Sequence, residues 1–289
     1  MPDATTRASF RFFHRLRVRW AEVDMQKIVF NGHYLMYLDT AMADYWRALA
    51  LPYEEAMHLL EGDLYVKKAS VEYHGSARYD DVLDVGLQCT RIGKSSIEFA
   101  GAIFRGEDLL ITATLIYVFA DPATQTSRAV PEVLRQVMLG YEAGHSVLEV
   151  RTGSWAQLHE DAMKVRIEVF VQEQQIPLAM EQDPADEQSV HAVGYNRIGQ
   201  PVATGRLLPA EGGTARIGRV AVKRVLRQTG VGKQVLNALV AAAGQRGDRA
   251  VCLNAQRSAE GFYARSGFAP RGDGFEEVGL PHIEMVRSV

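Results

Sequence analysis

The chain has very little cysteine: Cys89 and Cys252 stand far apart, outside any Cys-x-x-Cys or histidine-rich cluster. That scarcity argues against a disulfide framework or a structural zinc site and points to a reducing, cytoplasmic setting with no metal. There is no apolar run of the roughly 18 residues that a membrane span needs. Residues 1–20 carry arginines at 7, 11, 15, 17 and 19 but no uninterrupted apolar segment of the kind a secretory signal requires. Nor does one sign of charge dominate. The net charge is −3; residues 1–145 hold 15 Lys and Arg against 19 Asp and Glu, and residues 146–289 hold 17 against 16. Neither half has the basic excess of a nucleic-acid binder.

What remains is an ordinary globular composition, 47% apolar and 23% charged, without low-complexity tracts. At 289 residues the chain suits two domains. The expected division is 1–144 and 145–289, through a polar joint around residues 140–146 too short to act as a free tether.

In the first half the alternation of residues 15–20 reads as a strand with one wet face. Apolar residues at Leu35, Leu38, Met42, Trp46 and Leu49 have helical spacing, after an Asn31-Gly32-His33 start. Strands are expected at 65–73, 82–90, 95–104 and 109–119, and a last helix from Pro131 to about Tyr141. One early helix followed by antiparallel strands is an α+β layout, a sheet wrapped around a central helix.

The strings Val18-Arg19-Trp20-Ala21-Glu22-Val23-Asp24, Val29-Phe30-Asn31-Gly32-His33-Tyr34-Leu35, Val71-Glu72-Tyr73 and Asp80-Asp81-Val82-Leu83 give residues 10–140 a resemblance to hot-dog acyl-CoA thioesterases of the 4-hydroxybenzoyl-CoA type. The resemblance implies that Asp24 is the catalytic carboxylate, as nucleophile or as base on water. It also implies that the start of the central helix polarises the thioester carbonyl through a backbone N–H. It places the CoA phosphates near the turn 91–96, at Arg91, Lys94 and Ser95, and implies a homodimer or homotetramer built through this domain. Alternatives stay open: Asp24 could cap a turn, and Arg91 and Lys94 could belong to a solvated hairpin. The chain departs from the family pattern at Val23, where Thr or Cys is common, and at His33, where Asn is common.

The second half opens with a strand near 147–151 and a helical run from Ser154, with Leu158, Ala162, Val165, Val169 and Phe170 on its apolar side. An acidic loop, 181–187, precedes strands at 190–195, 202–208 and 215–222. Then comes Arg227-Gln228-Thr229-Gly230-Val231-Gly232-Lys233, a glycine loop opening an amphipathic helix over 235–245. Strand, glycine loop and helix form an arrangement suited to a pyrophosphate, since helix-start N–H groups and the macrodipole both favour an anion. A strand at 250–254, a short helix at 258–266 and a last strand near 283–287 follow.

That order, with Arg227-x-x-Gly230-x-Gly232, Glu181-x-Asp183, Gly205-Arg206-Leu207-Leu208-Pro209, Leu253-Asn254-Ala255-Gln256 and Phe262-Tyr263, resembles the GNAT superfamily of N-acetyltransferases, its ElaA-like branch in particular. The resemblance covers 147–289 and implies an α/β fold on a mixed sheet. It places the pyrophosphate on Gln228, Gly230, Gly232 and Lys233 beside Arg227, and aligns the thioester along Val220 and Val222. Tyr263 then takes the place of the acid that meets the departing thiolate, and Asn254 lies near the pantetheine. Glu181, Asp183, Glu187 and His191 are candidates for the base or for capture of a cationic amine; Arg166 and Arg206 are expected to pair with the acidic loop. The expected function is bifunctional: acyl-CoA hydrolysis in the first half and acyl transfer from CoA to an amine in the second. The alternative makes the hot-dog half a non-catalytic acyl-CoA-binding or dimerisation module.

Overall fold

The computed structural model describes residues 6–277 and 279–289. The chain divides into two compact units between Val147 and Leu148.

The first unit runs β1 (Phe12–Arg17), α1 (Asn31–Ala48), α2 (Tyr53–Leu59), β2 (Asp63–Tyr73), β3 (Val82–Ile92), β4 (Ser96–Arg105), β5 (Asp108–Ala120) and α3 (Glu132–Glu142). The strands form one antiparallel sheet in the order β1-β3-β4-β5-β2, with α1 packed on β1 and β3. The face that α1 buries is set by Tyr34, Tyr37, Leu38, Ala41, Met42, Tyr45 and Trp46. Leu35, expected on that face, is instead 41% exposed. The tyrosines displace it because each buried hydroxyl finds a partner: Tyr34 accepts from the Ala77 N–H, and Tyr37 and Tyr45 donate to Glu22 and Glu142. Each fully buried Leu or Met on this face contributes about 1.5–3 kcal/mol, an upper estimate.

The second unit runs β6 (Leu148–Gly153), α4 (Trp155–Arg166), a π-helical stretch Ile167–Glu173, α5 (Leu178–Glu181), β7 (Val190–Asn196), β8 (Pro201–Leu207), β9 (Thr214–Val222), α6 (Val231–Arg246), β10 (Ala250–Gln256), α7 (Glu260–Ala264), β11 (Ala269–Glu277) and β12 (Leu280–Ser288). Its sheet has the order β11-β12-β10-β9-β8-β7-β6 and is mixed, since β9 and β10 are parallel while the other pairs are antiparallel. Helices cover both faces. Val193 and Tyr195 pack under Leu158 and Ala162 of α4, whereas Gly194, pointing the other way, lies against Val235 of α6. Ser154 and Gln157 close a reciprocal capping box at the start of α4. No helix among the described residues is long and apolar enough to cross a membrane.

Candidate functional site

In the first unit, Asp24 sits on a small hairpin that leads straight into α1. Val23 bridges Val29, the Asp24 N–H donates to the Ile28 carbonyl at 2.9 Å, and the Phe30 N–H returns to the Glu22 carbonyl at 2.9 Å. Asp24 Oδ1 accepts the Gln26 N–H at 2.8 Å, so the carboxylate also closes the turn. It lines an open cleft of about 440 Å³ with Trp20, Val23, Lys27, Arg78 and Tyr79. Trp20 and Tyr79 meet edge to face, 5.5 Å between centroids.

Beneath this hairpin lies Glu22, 3% exposed, which accepts from the Arg19 N–H, the Arg19 guanidinium and the Tyr37 hydroxyl at 2.7–2.8 Å. Burial pushes its carboxyl up, but the two Arg19 donors and Tyr37 outweigh that and hold it below the ordinary glutamate range. Glu22 is therefore an anion fixed inside the wall of the cleft. The α1 start has no side-chain cap, which leaves its first N–H groups to other acceptors. His33, in that first turn, stands edge-on to Phe30, and its buried Nδ1 has no partner among the described residues.

The turn of Arg91, Lys94 and Ser95 is well built but elsewhere. Arg135 of α3 donates to the Ile92 and Gly93 carbonyls at 2.6 and 2.7 Å, and the Gly93 N–H closes on the Ser96 carbonyl at 2.7 Å. The cleft of Asp24 adjoins the start of β3 and this turn follows its end. Eleven residues at about 3.3 Å each put roughly 30 Å between them. A single protomer thus does not bring Asp24 together with Arg91, Lys94 and Ser95.

In the second unit the decisive feature is a parting of strands. β9 and β10 pair only at Thr214–Ala250, Ala215–Val251 and Arg216–Cys252, after which β10 stays laddered to β12 alone. A register shift between β8 and β9, with Arg219 at φ 52°, turns β9 away. Val220 and Val222 thereby lie on the stretch of β9 that has left β10, with Val222 in register with Ala203 of β8. At the end of β9 the loop reaches α6, whose cap is Gly230 at φ 89°, a conformation that suits glycine, with no side-chain cap. A Cβ on Gly232 would lie 3.0 Å from Val222 Cγ2, a contact so tight that the valine side chain would have to give way. A sixteen-residue helix with an uncapped N-terminus at this parting of strands is a place for an anion. Gln228 and Lys233 are exposed beside it.

Arg227 is engaged: its guanidinium forks onto Glu173 at 2.7 Å twice, and its Nε donates to the Val222 carbonyl at 3.2 Å. Asn254, just past the parting, accepts from Arg216 at 2.6 Å and donates to Glu277 at 2.9 Å. The Tyr263 ring is buried edge-on to Phe262 and Phe268. Burial pushes the phenol up to about 12.

The acidic loop is spoken for. Arg166 holds Glu181 and Asp186, Arg206 holds Asp183 and Asp186, and Arg219 reaches Glu181 and Asp183. His191, 1% exposed, donates from Nε2 to the Asp186 carbonyl at 2.8 Å, and burial lowers its pKa. These residues are pairing partners in the core, as expected for Arg166 and Arg206, while Glu187 is exposed. Sequence reasoning missed the Trp20, Lys27, Arg78 and Tyr79 walls and gave Glu173 no role; among these only Trp20 stands in a string quoted from the sequence.

Each unit matches a known family model. Residues 158–289 match the family model of the acetyltransferase (GNAT) domain, and residues 26–112 match that of the thioesterase superfamily, starting just past Asp24. The chain is 36% identical over 129 residues to the uncharacterized N-acetyltransferase YjcF of Bacillus subtilis, covering 44% of this chain and 91% of that protein. It is 32% identical over 148 residues to protein ElaA of Escherichia coli, covering 47% and 96% respectively. A solved 1,4-dihydroxy-2-naphthoyl-CoA thioesterase from Synechocystis aligns with 44% of this chain and 96% of its own at 18% identity and a TM-score of 0.41. The chain is a fusion, belonging to the GNAT acetyltransferases through its C-terminal unit and carrying in front of it a hot-dog unit in which residues 26–112 match the thioesterase superfamily model.

Proposed function

We propose that the protein is a two-site CoA-thioester enzyme, hydrolysing an acyl-CoA in its first unit and transferring an acetyl or acyl group from CoA to an amine in its second. The observation that carries this reading is the parting of β9 and β10 above the uncapped start of α6. The pyrophosphate would lie on the N–H groups of residues 228–233, and the thioester along the main chain of Val220 and Val222. In the transfer a neutral amine attacks the carbonyl carbon, a C–N bond forms, the C–S bond breaks with its electron pair leaving on sulfur, and the proton that the acylated nitrogen loses passes through solvent to the thiolate.

Tyr263 meets that sulfur as a donor that keeps its proton. A phenol near 12 is about 3.5 units above an ordinary thiol, so full transfer would be uphill by roughly 5 kcal/mol. One hydrogen bond to a developing thiolate contributes about 1.5 kcal/mol. Tyr263→Phe is therefore expected to lower kcat roughly tenfold with KM for acyl-CoA nearly unchanged, read from initial rates with acetyl-CoA and primary amines. An unaltered kcat would leave the ring as packing.

The first unit is proposed to work as at least a dimer, which the edge strand β2 supports: eleven residues long, it exposes Tyr65, Val66 and Tyr73. Sedimentation should give at least twice the 32.1 kDa of one chain, and Val66→Lys should shift the mass downward. A sedimenting monomer would remove the proposal.

A second reading, in which the hot-dog unit binds acyl-CoA without turning it over, is favoured by the bond from the Gln26 N–H to Asp24. Assaying thiol release from acyl-CoAs of graded chain length, alongside their binding, separates the two. Tight binding with no release supports the second.

A further inference from the structure

The π-helical stretch is tied to both sides of the parted strands. Glu168 pairs with Lys223 at 2.8 Å and Glu173 forks onto Arg227, both on the β9 side. On the β10 side, Gln256 donates to Gln174 at 3.4 Å. Its own geometry is widened, with the Gln174 N–H reaching five residues back to the Val169 carbonyl. Such stretches are frequent at functional sites. Of these ties, the Glu173 fork is the one that touches the loop at the anion-accepting end of α6. Arg227 stands three residues before the Gly230 cap, and its Nε holds the end of β9 through Val222. Arg227 also keeps Glu173 below the ordinary carboxylate range, so the site carries a fixed negative charge one guanidinium away from where a phosphate would sit.

We infer that Glu173 is a counter-charge that limits the affinity of the second unit for CoA, holding Arg227 away from the phosphates and repelling them, so that product CoA leaves. This rests on the acyltransferase reading above. The pair is partly solvated on both sides, 39% and 32% exposed, so it opens at little cost when a phosphate competes for the guanidinium. Glu173→Gln keeps the size of the side chain, removes the like charge and takes the carboxylate off the Arg227 guanidinium, whose Nε stays on the Val222 carbonyl.

The test titrates CoA into the full chain by calorimetry, with the Gly232→Val chain giving the heat that belongs to the first unit. CoA is measured in parallel as an inhibitor against acetyl-CoA. Glu173→Gln is expected to tighten CoA about fivefold, the upper end for an exposed pair. Its affinity should also fall more steeply with salt than that of the parent, because one more unmasked cation faces the phosphates. With Arg227→Gln already in place, adding Glu173→Gln should tighten CoA less than it does in the parent, because only the repulsion is then removed. A purely structural brace would give the opposite sign, weaker CoA with no steeper salt dependence. Affinity unchanged or weakened in Glu173→Gln overturns this inference alone. A parent chain whose isotherm matches that of Gly232→Val has no CoA site in the second unit, and then the transferase reading falls with it.

Discussion

Replacing Arg166 with methionine is expected to destabilise the second unit by about 3–5 kcal/mol, the cost of removing one partner from a buried ionic cluster. Arg166 is 1% exposed and lies under the Trp155 ring, 5.3 Å from its centroid. Its Nε donates to Glu181 at 2.5 Å, and its two terminal nitrogens donate to Asp186 at 2.9 and 3.1 Å. Methionine fills much of the same volume but leaves Glu181 and Asp186, each 2% exposed, with less compensation than they need. The unfolding transition assigned to the second unit should fall on the order of 10 °C, while that of the first stays in place. Adding Glu181→Gln, which leaves Arg206 and Arg219 facing Asp183 and Asp186 in equal number, should recover most of the loss, since the cost lies in uncompensated charge and not in packing. A drop below 1 kcal/mol, measured by urea unfolding, would mean that Arg206 and Arg219 carry the carboxylates unaided.

The same cluster sets an acid limit. Arg206 holds Asp183 below the ordinary aspartate range, and at Asp186 the Arg166 and Arg206 bonds outweigh a burial that alone would raise it. Depressed carboxylates contribute stability that is present above the unfolded value and lost as pH falls through the folded one, hence below about pH 4. Glu181 runs the other way: burial pushes it up in spite of Arg166, so its share is lost as pH rises through its folded value.

Much of this architecture was legible in the chain because periodicity survives folding. The run into β9, the glycine loop and α6 stand where the alternation and the glycines put them. Other elements carried no such signal. All nine residues of β11 are exposed, so no alternation marks it, and it escaped notice together with the short helix α2 behind Pro52. The π stretch was read as ordinary helix because Val165 and Val169 keep helical spacing into it; an i to i+5 bond leaves no trace in an apolar pattern. On α1 the face marked by Leu35, Leu38, Met42, Trp46 and Leu49 omits Tyr34, Tyr37 and Tyr45, whose burial leaves Leu35 outside. The acidic loop supplied plausible bases until the fold showed which arginine each carboxylate meets, a tertiary fact. The cleft of Asp24 has the same origin: Arg78 and Tyr79 reach Trp20 and Lys27 because Arg17 is paired with Val82, at the start of β3.

Asp24→Asn is expected to lower acyl-CoA hydrolysis by about 10²–10⁴, the range for a lost general base, with little change in stability. The asparagine carbonyl can still accept the Gln26 N–H, so the turn that Asp24 closes is kept while its negative charge and basicity are removed. Asp24→Ala removes both, and should add a stability loss of about 1 kcal/mol to the same loss of rate. The two variants therefore separate the roles that one side chain combines. Transfer by the second unit gives an internal control, since it should proceed in both variants at the parent rate. Thiol release that persists in Asp24→Asn, together with a lowered melting temperature in Asp24→Ala, would make Asp24 the lock of the 24–28 turn. The buried Glu22 anion beneath it would then be structural too, supporting an uncapped helix start that holds an acyl-CoA without cleaving it.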